Sequence, residues 1–306
     1  MRLAVQSGNV VDDFGFETGY RMIKEAGFEA VDWNIDHAWD QSKLRKGDLT
    51  GCIFEKSPAE VLEHYRRELE IIRKNGLAIT QAHAPFPAYL AEVPELLDYA
   101  IEIYKGCIRL CDAVGCKNLV VHGISASPQN PELTREQVDG LNMKLYGSLI
   151  PVLQETQVTV CLENLFTGAD GQIYEGTCSE PMEAVRYIDA LNEMAGKNCF
   201  GLCVDTGHLN LLRKNVTEYI RTVGKRIACL HVHDNDGKDD LHRMPFTGTL
   251  RWEDLLAALK EVGYSGDFSF ETFAQVTRNR MAPEYVTIYL EAIAKVGKIF
   301  IQKITG

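Results

Sequence analysis

Six short apolar runs end at a side chain able to bind a metal or move a proton: LAITQAH at His83, LVVH at His122, VTVCLE at Glu163, GLCVD at Asp205 with His208 three residues on, IACLH at His231, and FSFE at Glu271. Packing alone requires no such pattern. Runs this rich in Val, Ile and Leu read as strands buried on both faces, so a polar group recurring at each end implies a shared focus at one edge of a sheet. Of the eight histidines, only His37 and His64 lie away from these ends and from the loop after His231. Taken singly, each residue reads as readily as an exposed carboxylate or a core histidine bonded to backbone. The ordered set is what points to chemistry.

The elements that must position this set repeat eight times. Strand-like runs fall near residues 3–7, 29–33, 77–83, 118–122, 158–163, 200–205, 227–233 and 267–271. Helical patterns fall near 16–26, 94–114, 134–156, 180–195, 215–223, 252–262 and 283–303. Another is PAEVLEHYRRELEIIRKNG, with Val61, Leu62, Tyr65, Leu69 and Ile72 on one face and Gly76 as its stop. Strand alternating with helix predicts a parallel sheet, and eight units predict a single-domain (β/α)8 TIM barrel over residues 1–306, with an open doubly wound sheet as the alternative. The longer connections, 34–57, 164–179 and 234–251, follow strands and so predict the rim that carries the site.

Composition narrows the partners. A net charge of −11 disfavours a nucleic-acid ligand, and so do the rim segments: APFPAYLAEVPEL has no basic residue, 163–180 is acidic, and SKLRK at 42–46 reads as a solvated turn. No apolar run approaches the roughly 20 residues needed to span a bilayer, and the N-terminus reads as a first strand rather than a signal peptide. Nine cysteines without a CxxC pair predict reduced, buried thiols and a cytoplasmic enzyme. Trp33, Trp39, Phe86, Phe166, Tyr174 and Phe246 fall at or after strand ends, where flat rings can pack on the C–H faces of a sugar. Trp33 and Phe86 are the expected substrate contacts among them.

HAPF, VVHG, CLENL, DTGH, HVHD and FSFET, in this order along essentially the whole chain, resemble the xylose isomerase-like TIM-barrel superfamily of sugar isomerases, sugar epimerases and endonuclease IV. By resemblance to the D-tagatose 3-epimerase branch, Glu163, Asp205, His231 and Glu271 would hold one divalent ion. Three carboxylates with one imidazole suit Mn²⁺, Mg²⁺, Co²⁺ or Zn²⁺. Glu163 and Glu271 would then be the acid/base pair, moving a proton beside a metal-bound carbonyl through an enediolate. His208 and Arg243 would contact substrate, although the spacing from His231 to Arg243 is longer than in that branch.

Two further activities are implied. The endonuclease IV pattern can be followed through His83, His122, Glu163, Asp205, His208, His231, Asp240, His242 and Glu271, which implies more than one zinc and a phosphodiesterase acting on abasic DNA. For His83 and His122 direct substrate contact is an equal expectation, and for Asp240 and His242 a solvated loop is. A keto-inositol dehydratase-like lyase would use the same α-proton chemistry. FTGTL is too short to mark a phosphate cradle, and no other Gly-rich loop offers one. The expected partner is a small sugar, with no membrane and with a homo-oligomer left open.

Overall fold

The alternation read from hydrophobic period holds along the chain. The computed structural model describes residues 1–126, 133–169, 171–273, 276 and 281–306. Its strands are β1 (Leu3–Gln6), β2 (Ala30–Asn34), β3 (Ala78–His83), β4 (Asn118–Val120), β5 (Thr159–Glu163), β6 (Phe166–Ala169), β7 (Gln172–Glu175), β8 (Phe200–Asp205), β9 (Ile227–His231) and β10 (Phe268–Phe270). The helices are α1 (Gly8–Ala26), α2 (Gln41–Leu44), α3 (Pro58–Lys74), α4 (Leu96–Val114), α5 (Arg135–Gly147), α6 (Ile150–Gln154), α7 (Pro181–Ala195), α8 (Thr206–Leu211), α9 (Val216–Val223), α10 (Trp252–Glu261) and α11 (Pro283–Thr305).

Eight of these strands form one parallel sheet in the order β10-β1-β2-β3-β4-β5-β8-β9. The two strands that end this order also meet: Val232 N donates to Ser269 O at 2.9 Å, and Glu271 N donates to Val232 O at 3.0 Å. This is the predicted (β/α)8 barrel. By its internal contacts the chain divides into two compact units: Met1–Trp33 with Arg67–Thr80 and Cys203–Gly306, and Asn34–Arg66 with Gln81–Leu202.

In the first unit β1 lies between β10 and β2, with Leu3 opposite Phe268 and Ala4 opposite Ala30. Helix α11 closes on these strands so tightly that a Cβ at Gly297 would stand 2.5 Å from Leu3 and 2.6 Å from Phe270. Within α1, Gly15 adopts φ 74° and ψ 165°, open to glycine alone, and interrupts the helix, so the regular part is the predicted 16–26.

In the second unit β4 pairs with β3 and β5, with Asn118 opposite both Gln81 and Thr159. Buried tyrosines pin its strand ends: Tyr104 donates to Pro85 O at 2.7 Å, and Tyr146 to Val121 O at 3.0 Å. Two expectations need correction here. The single helix expected over 134–156 is two, α5 and α6, since Ser148 and Leu149 end one and begin the other ahead of Pro151, which has no N–H to continue the ladder. The connection 164–179 holds an antiparallel hairpin, β6 with β7, pairing Phe166 with Glu175; its Asp170 lies outside the described residues.

All nine cysteines are free and buried, as expected of reduced thiols. No helix among the described residues is long and apolar enough to cross a membrane.

Candidate metal and acid/base site

Each unit gathers its strand-end residues into a cluster of its own. In the second unit β3, the chain just beyond β4, and β5 deliver His83, His122 and Glu163. His83 Nε2 and His122 Nε2 face each other at 3.0 Å, and Glu163 Oε2 stands 2.9 Å from His122 Nε2 and 3.9 Å from His83 Nε2. Ligands around a first-row ion at about 2.1 Å sit roughly 3–3.5 Å apart, so these spacings suit coordination as well as hydrogen bonding. His83 Nδ1 bonds Ala84 O at 2.9 Å, which leaves Nε2 as the nitrogen turned to the cluster. Phe86 covers the pair, its ring centroid 5.3 Å from that of His83 and 4.7 Å from that of His122. Its carbonyl is held by Trp39 Nε1 at 2.9 Å and Gln41 Nε2 at 3.1 Å, so the 34–57 connection steadies the ring.

The first unit carries the larger cluster. The DTGH spacing has a local cause: Asp205 is the N-cap of α8 and its Oδ1 accepts His208 N at 2.6 Å, which brings the His208 ring back over the carboxylate, with Nδ1 3.7 Å from Oδ1. Asp205 is wholly buried. From the 234–251 connection come Asp240 and His242, which do not lie in a solvated loop. His242 Nε2 is 2.8 Å from Asp240 Oδ2, and His208 Nε2 is 3.8 Å from the same oxygen. Burial works against the charge on Asp240, but hydrogen bonds and charge from His208 and His242 outweigh it and hold the carboxyl well below the usual range. His231 Nδ1 lies 3.7 Å from Glu271 Oε2, and Glu271 Oε1 accepts Gln6 Nε2 at 3.3 Å.

The same connection carries further residues that the sequence singled out, each with a local partner. The loop is built around buried Asp234, whose carboxylate accepts Gly248 N, Leu250 N and Trp252 Nε1 at 3.0, 3.0 and 3.1 Å. The Gly248 N–H of FTGTL is thereby committed to a carboxylate. Asp236 accepts Lys238 N and Asp239 N at 3.0 and 3.1 Å as a turn residue. Arg243 pairs its backbone with Asp234 and directs its guanidinium to Thr247 O at 3.4 Å within its own loop. Trp33 is wholly buried, whereas Phe246 is exposed, with Trp252 and Phe300 each 5.8 Å away.

Three participants escaped the sequence reading: Gln6, Asp32 and His233. Asp32 Oδ2 stands 3.0 Å from His231 Nε2, and His233 Nε2 stands 3.1 Å from Asp205 Oδ2. The HVH pattern carries a signal for His233, because alternate residues of an extended chain share a face. Gln6 ends β1, and Asp32 is the middle residue of β2.

A barrel whose strands end in imidazoles and carboxylates is the frame of an enzyme. The chain belongs to the family described as xylose isomerase-like TIM barrel, whose model matches residues 20–294. It is 29% identical over 212 residues to a D-psicose 3-epimerase of Enterocloster bolteae, covering 67% of this chain and 64% of that one. It is 24% identical over 206 residues to a probable endonuclease 4 of Mycoplasma pneumoniae, covering 63% and 66%. A solved D-psicose 3-epimerase of Clostridium cellulolyticum H10, with D-tagatose, superposes at a TM-score of 0.71 over 98% of this chain and 99% of that one; at 14% identity this shows a shared fold.

Proposed function

We propose that the protein is a metal-dependent sugar isomerase or epimerase, working as one domain in the cytoplasm, with Glu163, Asp205, His231 and Glu271 as ligands of one divalent ion. The observation that carries this reading is the placement of Glu271: one carboxylate oxygen lies near His231 Nδ1 while the other is held by Gln6, at the end of a barrel strand. A carboxylate so restrained can take a proton from a substrate carbon and return it without reorienting. When bound, the ion supplies positive charge that favours the anionic form of a ketose next to its carbonyl. Glu163, fixed by His122, is the second acid/base group. Proton return to the same carbon from the opposite face inverts it, and return to the neighbouring carbon isomerises the sugar. Phe86 gives the substrate an apolar wall, and His208 donates to its hydroxyls.

Metal analysis of gently purified protein, followed by a panel of ketoses in D₂O, tests the proposal. Deuterium appearing at a carbon beside the carbonyl, dependent on a bound divalent ion, supports it; an ion-loaded protein that exchanges no carbon-bound hydrogen in any ketose refutes it.

A second reading is favoured by one specific observation. His208, Asp240 and His242 converge in one unit, and His83, His122 and Glu163 converge in the other, as expected of a zinc phosphodiesterase with more than one ion. Three zinc ions per chain together with cleavage of abasic duplex DNA would establish it in place of the first.

A further inference from the structure

His233 has no part in the four-ligand set, yet the first unit is built around its ring. The ring is wholly buried and lies flat on His242, centroids 4.0 Å apart and planes 14° from parallel. Its other flank meets Gly207. A Cβ at residue 207 would fall 1.9 Å from His233 Cε1, 2.4 Å from Nδ1 and 2.5 Å from Nε2, distances at which no side chain can exist. The glycine of DTGH is therefore the slot that admits this imidazole.

The slot is rigid. Thr206 Oγ1 donates to His233 O at 3.0 Å and accepts His233 N at 3.1 Å, and Asn235 Nδ2 donates to Gly207 O at 2.8 Å. The start of α8 and the chain after β9 are thus tied together on both sides of the ring. Among the described residues Nδ1 meets no hydrogen-bond partner, and the nitrogen that is engaged is Nε2, which lies 3.1 Å from Asp205 Oδ2. A carboxylate only accepts, so Nε2 carries the hydrogen and donates it. The other Asp205 oxygen accepts His208 N.

Resting on the reading that Asp205 is a metal ligand, we propose that His233 is a positioning residue, seated by Gly207, that holds the Asp205 carboxylate in the orientation needed to bind the ion and is not itself a ligand. A ligand carboxylate that is hydrogen-bonded by a second residue binds its metal more tightly, because the rotamer is chosen before the ion arrives; loss of such a partner typically costs 10–100-fold in affinity.

The test measures Co²⁺ stoichiometry, Co²⁺ affinity by chelator competition and the d–d spectrum in the native protein and in His233→Ala, His233→Gln, Gly207→Ala and the double variant Gly207→Ala/His233→Ala. Melting of the metal-free forms is followed in parallel. His233→Ala is expected to bind the same number of ions about 10–100-fold more weakly. His233→Gln, whose amide nitrogen reaches the place of Nε2, should recover most of the loss. Gly207→Ala should weaken binding or fail to fold, whereas the double variant should fold and bind no worse than His233→Ala, since the ring that Cβ would strike is gone. Unchanged affinity in His233→Ala, disappearance of a whole ion per chain, or a Gly207→Ala penalty that persists without the ring would each overturn the proposal. If the native protein takes up no Co²⁺, Mn²⁺ or Zn²⁺, the functional reading itself falls, and the native arm shows this before any variant is compared.

Discussion

Asp32 Oδ2 stands 3.0 Å from Nε2 of His231, with both side chains buried. The carboxylate stands behind one imidazole nitrogen, and the other, Nδ1, is the atom that lies toward Glu271. Asp32 is thus the carboxylate placed to orient the His231 ring. Replacing it by Ala should lower ion affinity about 10–100-fold and activity with it, while Asp32→Asn, which keeps an acceptor oxygen, should lose less. Equal affinities in native protein and Asp32→Ala, by chelator competition, would remove this role.

Glu271→Gln keeps the shape of the side chain and its oxygen toward Gln6 but removes the base. Carbon-bound hydrogen exchange in a reactive ketose, followed by NMR in D₂O, should fall by at least about 10²-fold, the usual worth of a general base. The melting temperature should stay within a few degrees. Exchange at the native rate would show that the wrong base has been named.

Chelation separates the ion's contribution from the fold's. Dialysis against EDTA should abolish exchange and lower the melting temperature, because an ion that binds only the folded chain stabilises it by mass action. Mn²⁺ or Co²⁺ should restore both. Full activity in protein shown to be metal-free would contradict the site.

Gly248 is required by space. A Cβ there would fall 2.1 Å from Asn235 O and 2.4 Å from Asp234 Oδ1, and a backbone carbonyl cannot swing aside as a side chain can. Gly248→Ala should cost about 2–4 kcal/mol, the range for overpacking that also breaks buried hydrogen bonds. Urea unfolding measures it, and a change under 0.5 kcal/mol would show that the loop relocates freely.

Asp267 gives the stability a dependence on acid. Burial raises its pKa, but hydrogen bonds from Arg2 and Thr80 outweigh this, so the folded value lies below the ordinary one. A depressed folded pKa contributes stability that is full above the unfolded value, about 3.9, and is lost as pH falls through the folded value. Arg2 is half exposed and screens the pair, so Asp267→Asn should cost only about 1 kcal/mol near pH 7. The cost should shrink toward zero near the acid end. Urea midpoints of the two proteins that differ equally at pH 7 and pH 2 would rule out this linkage.

How much was legible follows from what makes each feature. The eight barrel strands were readable because burial on both faces leaves near-continuous apolar runs, and their polar ends stood out against that background at His83, Glu163, Asp205 and Glu271. The β6 and β7 hairpin was not, since Phe166–Ala169 and Gln172–Glu175 are polar enough to pass for loop, and only pairing with each other makes them strands. In DNDGKDDLH, composition offered four aspartates of equal standing. The fold alone assigned Asp234 to the loop core, Asp236 to a turn and Asp240 to the histidine cluster.

From its own pattern the chain determined a (β/α)8 alternation and the types of group that gather at the strand ends, because hydrophobic period and strand-end chemistry are local properties. Tertiary structure decided which partner each group meets. Asp32 reaches His231 and Gly207 makes room for His233 across separations that no local pattern spans, since both meetings depend on where distant strands deliver their ends.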